Sequence, residues 1–340
     1  MRILISGASG LIGRALVAHL SVPTAANSFA PEVFSLVRRA PAHAREIFFD
    51  GSSRIDLAAC ERFDAVVHLA GENVGSGAGP LAFLGRWDER KKHDILHSRR
   101  AGTTMLATSL AALRHPPRVL VSASGVGFYG ADAGGAPVDE TAPRGGGFLA
   151  DVSRVWEEST APAAAAGIRV VNMRFGVVLS QEGGVVGAAA RATRAHEAPR
   201  ARALNASPPP SHRPGKLKLP FSLGLGGPIG PGTQWMSWIT LADAVRAIEF
   251  AITRDALAGP VNACAPAPAR NAEFATALGA ALHRPAIVPL PTFAVRAVFG
   301  EMGDETLLAS QRAVPAKLLA AGFHFLHPDI EAGCREAVLR

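Results

Sequence analysis

An α/β chain with a doubly wound parallel sheet and a smaller, mostly helical C-terminal lobe is what this 340-residue sequence predicts. Three observations carry the prediction. In the opening stretch MRILISGASGLIG, a short apolar strand (Arg2–Ser6) runs through Gly7, Gly10 and Gly13 into the helical pattern of Leu11–Leu20. Further β-rich runs then alternate with helical segments, the signature of βαβ units. After residue 240 the chain turns to one helical stretch after another. A strand passing through glycines to a helix N-terminus sets backbone N–H groups against an anion, which is the pyrophosphate-binding turn of Rossmann sheets. The alternative for this turn is an ordinary tight βα connection, since glycine is common here, with 35 residues.

Bulk composition narrows the class. A chain that is 48% hydrophobic and 19% charged is globular rather than disordered, and its length suits one large domain with an appended lobe, or two domains. No apolar run is long enough to span a bilayer, and a first strand at Arg2 leaves no room for a secretory leader. Cys60, Cys264 and Cys334 are distant from one another, as free thiols of a reducing, cytoplasmic protein would be; an organelle is the alternative if a targeting segment lies outside the chain. The same spacing provides no metal site. The net charge is +7, but Arg191, Arg194, Arg200, Arg202, Arg213, Lys216 and Lys218 against Glu197 place most of it in one stretch. The remainder is nearly neutral, which argues against a nucleic-acid partner.

In chain order, residues 21–31 form a polar connection, and Glu32–Val37 is a second strand that ends at Arg38-Arg39. In this fold an acidic side chain there binds the ribose 2′-OH of NAD, whereas an arginine accommodates the 2′-phosphate of NADP. Two arginines and no carboxylate point to NADP(H); otherwise they mark a solvated strand end. Residues 47–50 form a third strand, with Asp50 near the adenine edge. Residues 63–69 form a fourth, followed by Ala70-Gly71-Glu72-Asn73, where small residues let a cofactor approach the backbone. A long helix over 87–113 carries Asp94, Ser98 and Arg99. Residues 118–122 are the fifth strand, 151–166 a helix, 170–179 the sixth strand, and 261–264 a further one. Helices follow over 241–252, 271–282, 291–300 and 315–321. Residues 187–214, with their Ser-Pro-Pro-Pro-Ser run, are a flexible insertion. The division is therefore 1–182 for the cofactor domain (its sheet completed by about 240–265), 183–239 for a substrate-loop region, and 266–340 for the helical lobe.

The segments GASGLIG, HLAGEN (68–73) and RWDERKKHDILHSRRAGTT (86–104), with LGLGGPIGPGTQWMSWI (223–239) and NAEFATALGAAL (271–282), resemble the atypical "epimerase family" of extended short-chain dehydrogenases/reductases. So do PLPTFAVRAVFGEM (289–302) and LLAAGFHFLHPDIEAG (318–333). The resemblance covers nearly all of the chain except 187–214. It implies an NADP-binding Rossmann domain with a lobe closing over a substrate cleft. The turn itself assigns Gly7, Ser9, Gly10, Leu11, Ile12 and Gly13 to the cofactor. The resemblance adds Arg38, Arg39, Leu69 and Ala70, with Gly71 beside them, then Asp94, Arg99 and Val178. Arg99 would set a cation beside a phosphate or ribose, its alternative being an exposed helix arginine; Asp94 would have to face a ribose hydroxyl.

Reductases of this branch use Tyr-x-x-x-Lys with an upstream serine. Ser124, in SASGVGFYG, takes the serine's place, with Ser122 just before it. The dyad is absent: Tyr129 is the only tyrosine, no lysine lies between Lys92 and Lys216, and the expected positions hold Phe148, Leu149, Val152 and Ser153. These side chains cannot move a proton as tyrosine does. Tyr129, Asp151 and Ser124 are the substitutes; Tyr129 also reads as a packed aromatic with a wet hydroxyl, and Asp151 as a helix N-terminal residue. Gln234, Trp235 and Trp238 either wall a pocket or pack the lobe, and Asp243 caps or faces the helix it begins. Two functions stand: an NADP(H)-dependent oxidoreductase or epimerase-like enzyme on an unidentified small molecule, or a non-catalytic NADP(H)-binding sensor or scaffold that docks through its basic loop.

Overall fold

The computed structural model describes residues 1–22, 30–51, 55, 62–76, 86–183 and 226–339; Cys60 and the 187–214 insertion lie outside these. The elements are β1 (Arg2–Ser6), α1 (Leu11–Leu20), β2 (Glu32–Val37), β3 (Glu46–Phe48), β4 (Ala65–His68), α2 (Glu89–Ala111), β5 (Val119–Gly125), α3 (Phe148–Glu158), α4 (Ala161–Ala165), β6 (Arg169–Phe175), β7 (Val177–Leu179), β8 (Trp235–Met236), β9 (Trp238–Thr240), α5 (Leu241–Thr253), β10 (Gly259–Ala263), β11 (Ala269–Arg270), α6 (Asn271–Leu282), α7 (Thr292–Phe299), α8 (Ala316–Ala320) and α9 (Ile330–Leu339). Seven strands form one sheet in the order β10-β6-β5-β4-β1-β2-β3, parallel throughout. The order reverses between β1 and β4, and a crevice opens at that switch point beyond the carboxyl ends of the strands.

Alternation along the strands sorts side chains onto two faces. Ile3, Ile5, Val67, Val121 and Met173 bury against α1 and α5 through Leu16, Leu20, Ile248 and Ile252. Leu4, Val66, Leu120 and Val170 bury against Leu106 and Leu110 of α2 and Ala163 of α4. On this second face the apolar pattern stops short of the carboxyl ends. The next residues in register are Ser6, His68, Ser122, Ser124, Asn172 and Arg174, all buried. A polar strip thus lies under the crevice.

Several boundaries differ from the sequence reading. The fifth strand continues to Gly125, so Ser124 sits inside β5. The sixth strand is not one piece: at Gly176 a Cβ would lie 2.6 Å from the Ser237 carbonyl oxygen, the strand is interrupted there, and β7 pairs with β9 outside the main sheet. The helix expected from 151 starts at Phe148 and breaks after Glu158, restarting at Ala161 with Pro162 in its first turn, where a missing N–H costs nothing. Asp88 caps α2 by accepting from the Lys91 N–H. Beyond β11 the described chain is helical, and Trp238, Phe274, Leu278 and Ile330 form its own core with the buried Cys334. None of the described helices is long and apolar enough to cross a membrane.

Candidate functional site

A cleft of about 310 Å³ opens at the switch point. Gly7, Gly10, Leu11, Ile12 and Gly13 form one wall; Leu69, Ala123, Ser124, Trp156, Phe175 and Val178 form the rest. Close packing explains the glycines. Gly7 has φ +74°, and a Cβ there would sit 2.8 Å from the Ala70 nitrogen; a Cβ on Gly13 would lie 2.1 Å from the Gly7 carbonyl oxygen. Gly10 is looser, at 3.2 Å from the same oxygen. No side chain caps α1, so the N–H groups of its first turn are left for an anion. Ser9 is exposed, its carbonyl held by Arg14 at 2.9 Å. A dinucleotide's pyrophosphate fits this turn, because the N–H groups at the start of α1 have no side-chain acceptor and Gly10 to Gly13 line the cleft.

The opposite lip is the segment after β4. Ala70 N–H reaches Ser6 Oγ at 3.4 Å, and Ser6 is tied through His68 Nδ1 (2.6 Å) and Nε2 to Thr103 on α2 (2.9 Å). Burial, helped by the Arg99 charge, pulls His68 down to about 4, so the ring is neutral at ordinary pH. Arg99 is only 7% exposed, which corrects the alternative of an exposed helix arginine. It donates to the Glu72 carbonyl at 3.0 Å, lies against Gly71, and stacks 4.5 Å over Trp156. Burial lowers its pKa to about 10. Arg99 is therefore behind the cleft wall, holding up the loop and the indole. Asp94 is exposed beside His93 and does not line the cleft.

At the end of β2, Arg38 and Arg39 are exposed, as is Asp50 beyond β3. The end of β2 carries two arginines and no carboxylate of its own, but Glu46 enters from β3 and pairs with Arg39 through both oxygens, at 2.8 and 2.5 Å. A scan of the β2 end alone could not find it, because it belongs to the neighbouring strand.

At the positions a tyrosine and a lysine would take, α3 presents Leu149 against Gly127 and Ser153 near Gly125, while Phe148 packs edge-on to Trp87 at 5.2 Å. One turn further is the polar cluster that sequence reasoning missed. Ser124 Oγ donates to Glu157 Oε1 at 2.8 Å, and Arg174 grips the same carboxylate through Nε (2.7 Å) and Nη2 (2.8 Å). Arg174 is 3% exposed, lies 3.5 Å over the Phe128 ring, and donates to the Tyr129 hydroxyl at 3.1 Å. The available signal was Arg174 within an apolar strand, since a buried arginine requires a carboxylate. Ser124 commits its one proton to Glu157, which leaves its oxygen lone pairs for the cleft.

The other substitutes fall away. The Tyr129 hydroxyl is not wet; it donates to Asn262 Oδ1 at 2.8 Å, and burial pushes its pKa up to about 12. Asp151 is exposed and paired with Arg144. Trp238 is fully buried in the lobe core, and Trp235 is stacked between Arg270 and Arg312 at 4.4 and 4.3 Å. Gln234 is buried, its amide donating to the Ile229 and Leu307 carbonyls. Thr240 caps α5, while Asp243 accepts from the N–H groups of Leu326 and His327. Among the described residues no cluster of three or more His, Cys, Asp or Glu could hold a metal.

Residues 3–264 match the NAD dependent epimerase/dehydratase family, and 290–337 match a domain of unknown function, DUF1731. An epimerase family protein of Mycobacterium leprae is 40% identical over 99% of this chain and 95% of its own. The crystal structure of human epimerase family protein SDR39U1 (isoform 2) with NADPH is 33% identical, with a TM-score of 0.79 over 100% of this chain and 99% of that one. A structure described as a nucleoside-diphosphate sugar epimerase from Corynebacterium glutamicum is 31% identical, with a TM-score of 0.71 over 99% of this chain and 58% of that one.

Proposed function

The chain belongs to the NAD dependent epimerase/dehydratase family, and on that premise we propose that it holds NADP(H) and works as an oxidoreductase or epimerase-like enzyme on a small molecule in a reducing, cytoplasmic compartment. The observation that carries this reading is the cradle between Gly7, Gly13 and Leu69-Ala70, where a single added carbon would meet backbone. Arg38 and Arg39 would meet the 2′-phosphate, and Leu69, Ala70 and Val178 would flank the cofactor. When bound, the nicotinamide supplies or accepts a hydride. For a substrate hydroxyl, Ser124 Oγ would take the proton as its own passes to Glu157 Oε1, 2.8 Å away; for a carbonyl the same two protons would move in reverse, from Glu157 to Ser124 and from Ser124 to the new hydroxyl. Arg174 holds that carboxylate in place through Nε and Nη2.

A non-catalytic NADP(H) sensor or scaffold is the second reading, favoured by the apolar Leu149 and Val152 at the dyad positions. Titration of the purified chain by cofactor fluorescence tests the shared part: NADPH is expected to bind more tightly than NADH, and tighter NADH binding would remove the NADP assignment. Ser124→Ala separates the two readings. NADPH affinity is expected to stay unchanged while NADPH oxidation against a panel of small carbonyl compounds falls; a panel on which the wild-type protein is silent favours the sensor.

A further inference from the structure

We propose that Glu46 is a positioning residue for recognition of the 2′-phosphate of NADP(H), fixing Arg39 so that one two-donor edge of its guanidinium is left for the phosphate. The inference rests on the reading of Arg39 given above and extends it to a residue on the neighbouring strand. A guanidinium carries five N–H donors in a rigid fork. In Arg39, one Nη1–H and one Nη2–H go to Glu46 Oε2 and Oε1, at 2.8 and 2.5 Å, and Nη1 also donates to the Ala40 carbonyl at 3.0 Å. Three donors are thus used. The two that remain, Nε–H and the second Nη2–H, lie side by side along one edge of the fork and take no other partner among the described residues. Two parallel donors on one edge match two oxygens of a phosphate. The Arg39 side chain is 59% exposed, so a ligand can reach it.

Glu46 does not act here as the carboxylate that reads the 2′-OH of NAD. That role needs a carboxylate turned to a ribose hydroxyl, whereas both oxygens of Glu46 are engaged by donors of this chain. Oε1 takes Arg39; Oε2 takes Arg39 and also the Ala42 N–H at 2.7 Å. The second bond anchors the turn after β2, so the ion pair and the turn hold each other. Glu46 is itself held by β3, whose pairing with β2 sets it opposite Ser35, and its side chain is only 9% exposed. A long, exposed arginine that would otherwise sample many rotamers is thereby fixed before the cofactor arrives. Preorganisation of this kind raises affinity for the one ligand that uses it.

The test compares dissociation constants for NADPH and NADH in the purified full chain and in Arg39→Ala, Glu46→Ala and Glu46→Gln. Glu46→Ala is expected to weaken NADPH about three- to tenfold, the worth of immobilising one long side chain, and to leave NADH unchanged. Glu46→Gln keeps one oxygen for Arg39 and Ala42 and is expected to recover part of the loss. Tighter NADPH binding in Glu46→Ala would overturn the proposal by showing that the carboxylate competes with the phosphate. Equal weakening of both cofactors would overturn it as well, because it would mark a structural role. Arg39→Ala separates this failure from that of the underlying reading. If Arg39→Ala weakens NADPH while Glu46→Ala changes nothing, only the positioning role falls; if Arg39→Ala changes nothing, the arginine assignment falls with it.

Discussion

The two walls of the cleft are built on opposite principles. The glycine wall is backbone against backbone, with no side chain between Gly7 and Leu69-Ala70 or between Gly13 and Gly7. The opposite wall is made of side chains: Ser124, Trp156, Phe175 and Val178, with the Glu157–Arg174 pair behind Ser124. The first wall can hold a pyrophosphate without any particular side chain. On the function proposed above, the second would supply the chemistry, with a serine backed by an ion pair. Binding and reactivity would then fall on different walls, and substitutions should divide along the same line.

The largest effect is expected on the side-chain wall. Arg174→Met leaves the Glu157 carboxylate buried without its counter-charge, at a cost of about 3–5 kcal/mol, and adding Glu157→Leu should recover much of it, because removing both partners is far cheaper than removing one. Urea unfolding of the single and double variants reads both numbers. A single variant within 1 kcal/mol, roughly, of the wild type would mean that the pair is not desolvated. On the backbone wall, Gly13→Ala is expected to lose NADPH binding and about 1–3 kcal/mol of stability through overpacking. Gly10→Ala, whose new carbon would sit 3.2 Å rather than 2.1 Å from the same oxygen, should do less of both. Equal behaviour of the two would contradict the close-packed cradle.

A more gradual effect, spread over the pH scale, joins the walls. His68 links Ser6, under the glycine turn, to Thr103 on α2, and it is held near pKa 4 by burial. Its folded pKa lies below its unfolded value, so the unfolded chain binds the extra proton first. The stability gained by keeping it neutral is complete above about pH 6.5 and is lost as the pH falls towards 4, about 3 kcal/mol in all. His68→Gln should flatten that slope in denaturation measured between pH 4 and 7. An unchanged slope would place the titration elsewhere.

The same contrast explains what could be read without coordinates. The glycine wall is local: strand, turn and helix follow one another within the first twenty residues, and the spacing of Gly7, Gly10 and Gly13 carries its meaning directly. The side-chain wall is not. Ser124 and Glu157 are 33 residues apart and Glu157 and Arg174 are 17 apart; they meet only because β5 and β6 are neighbours and α3 lies across them. Ser124 was legible from its strand, but its partner was not. Glu46 was hidden for the same reason, since strand pairing alone brings it to Arg39. The break at Gly176 was masked because β-rich residues continue on both sides of it, and hydrophobicity does not register the close approach of Ser237 there.

The central claim is that one wall binds and the other reacts. A crystal structure with NADPH tests it most directly. The account predicts the pyrophosphate on the N–H groups of Leu11, Ile12 and Gly13, with Ser124 Oγ beside the nicotinamide ring and still bonded to Glu157. A pyrophosphate bound away from the glycine turn, or a nicotinamide with no protonatable side chain beside it, would contradict the account.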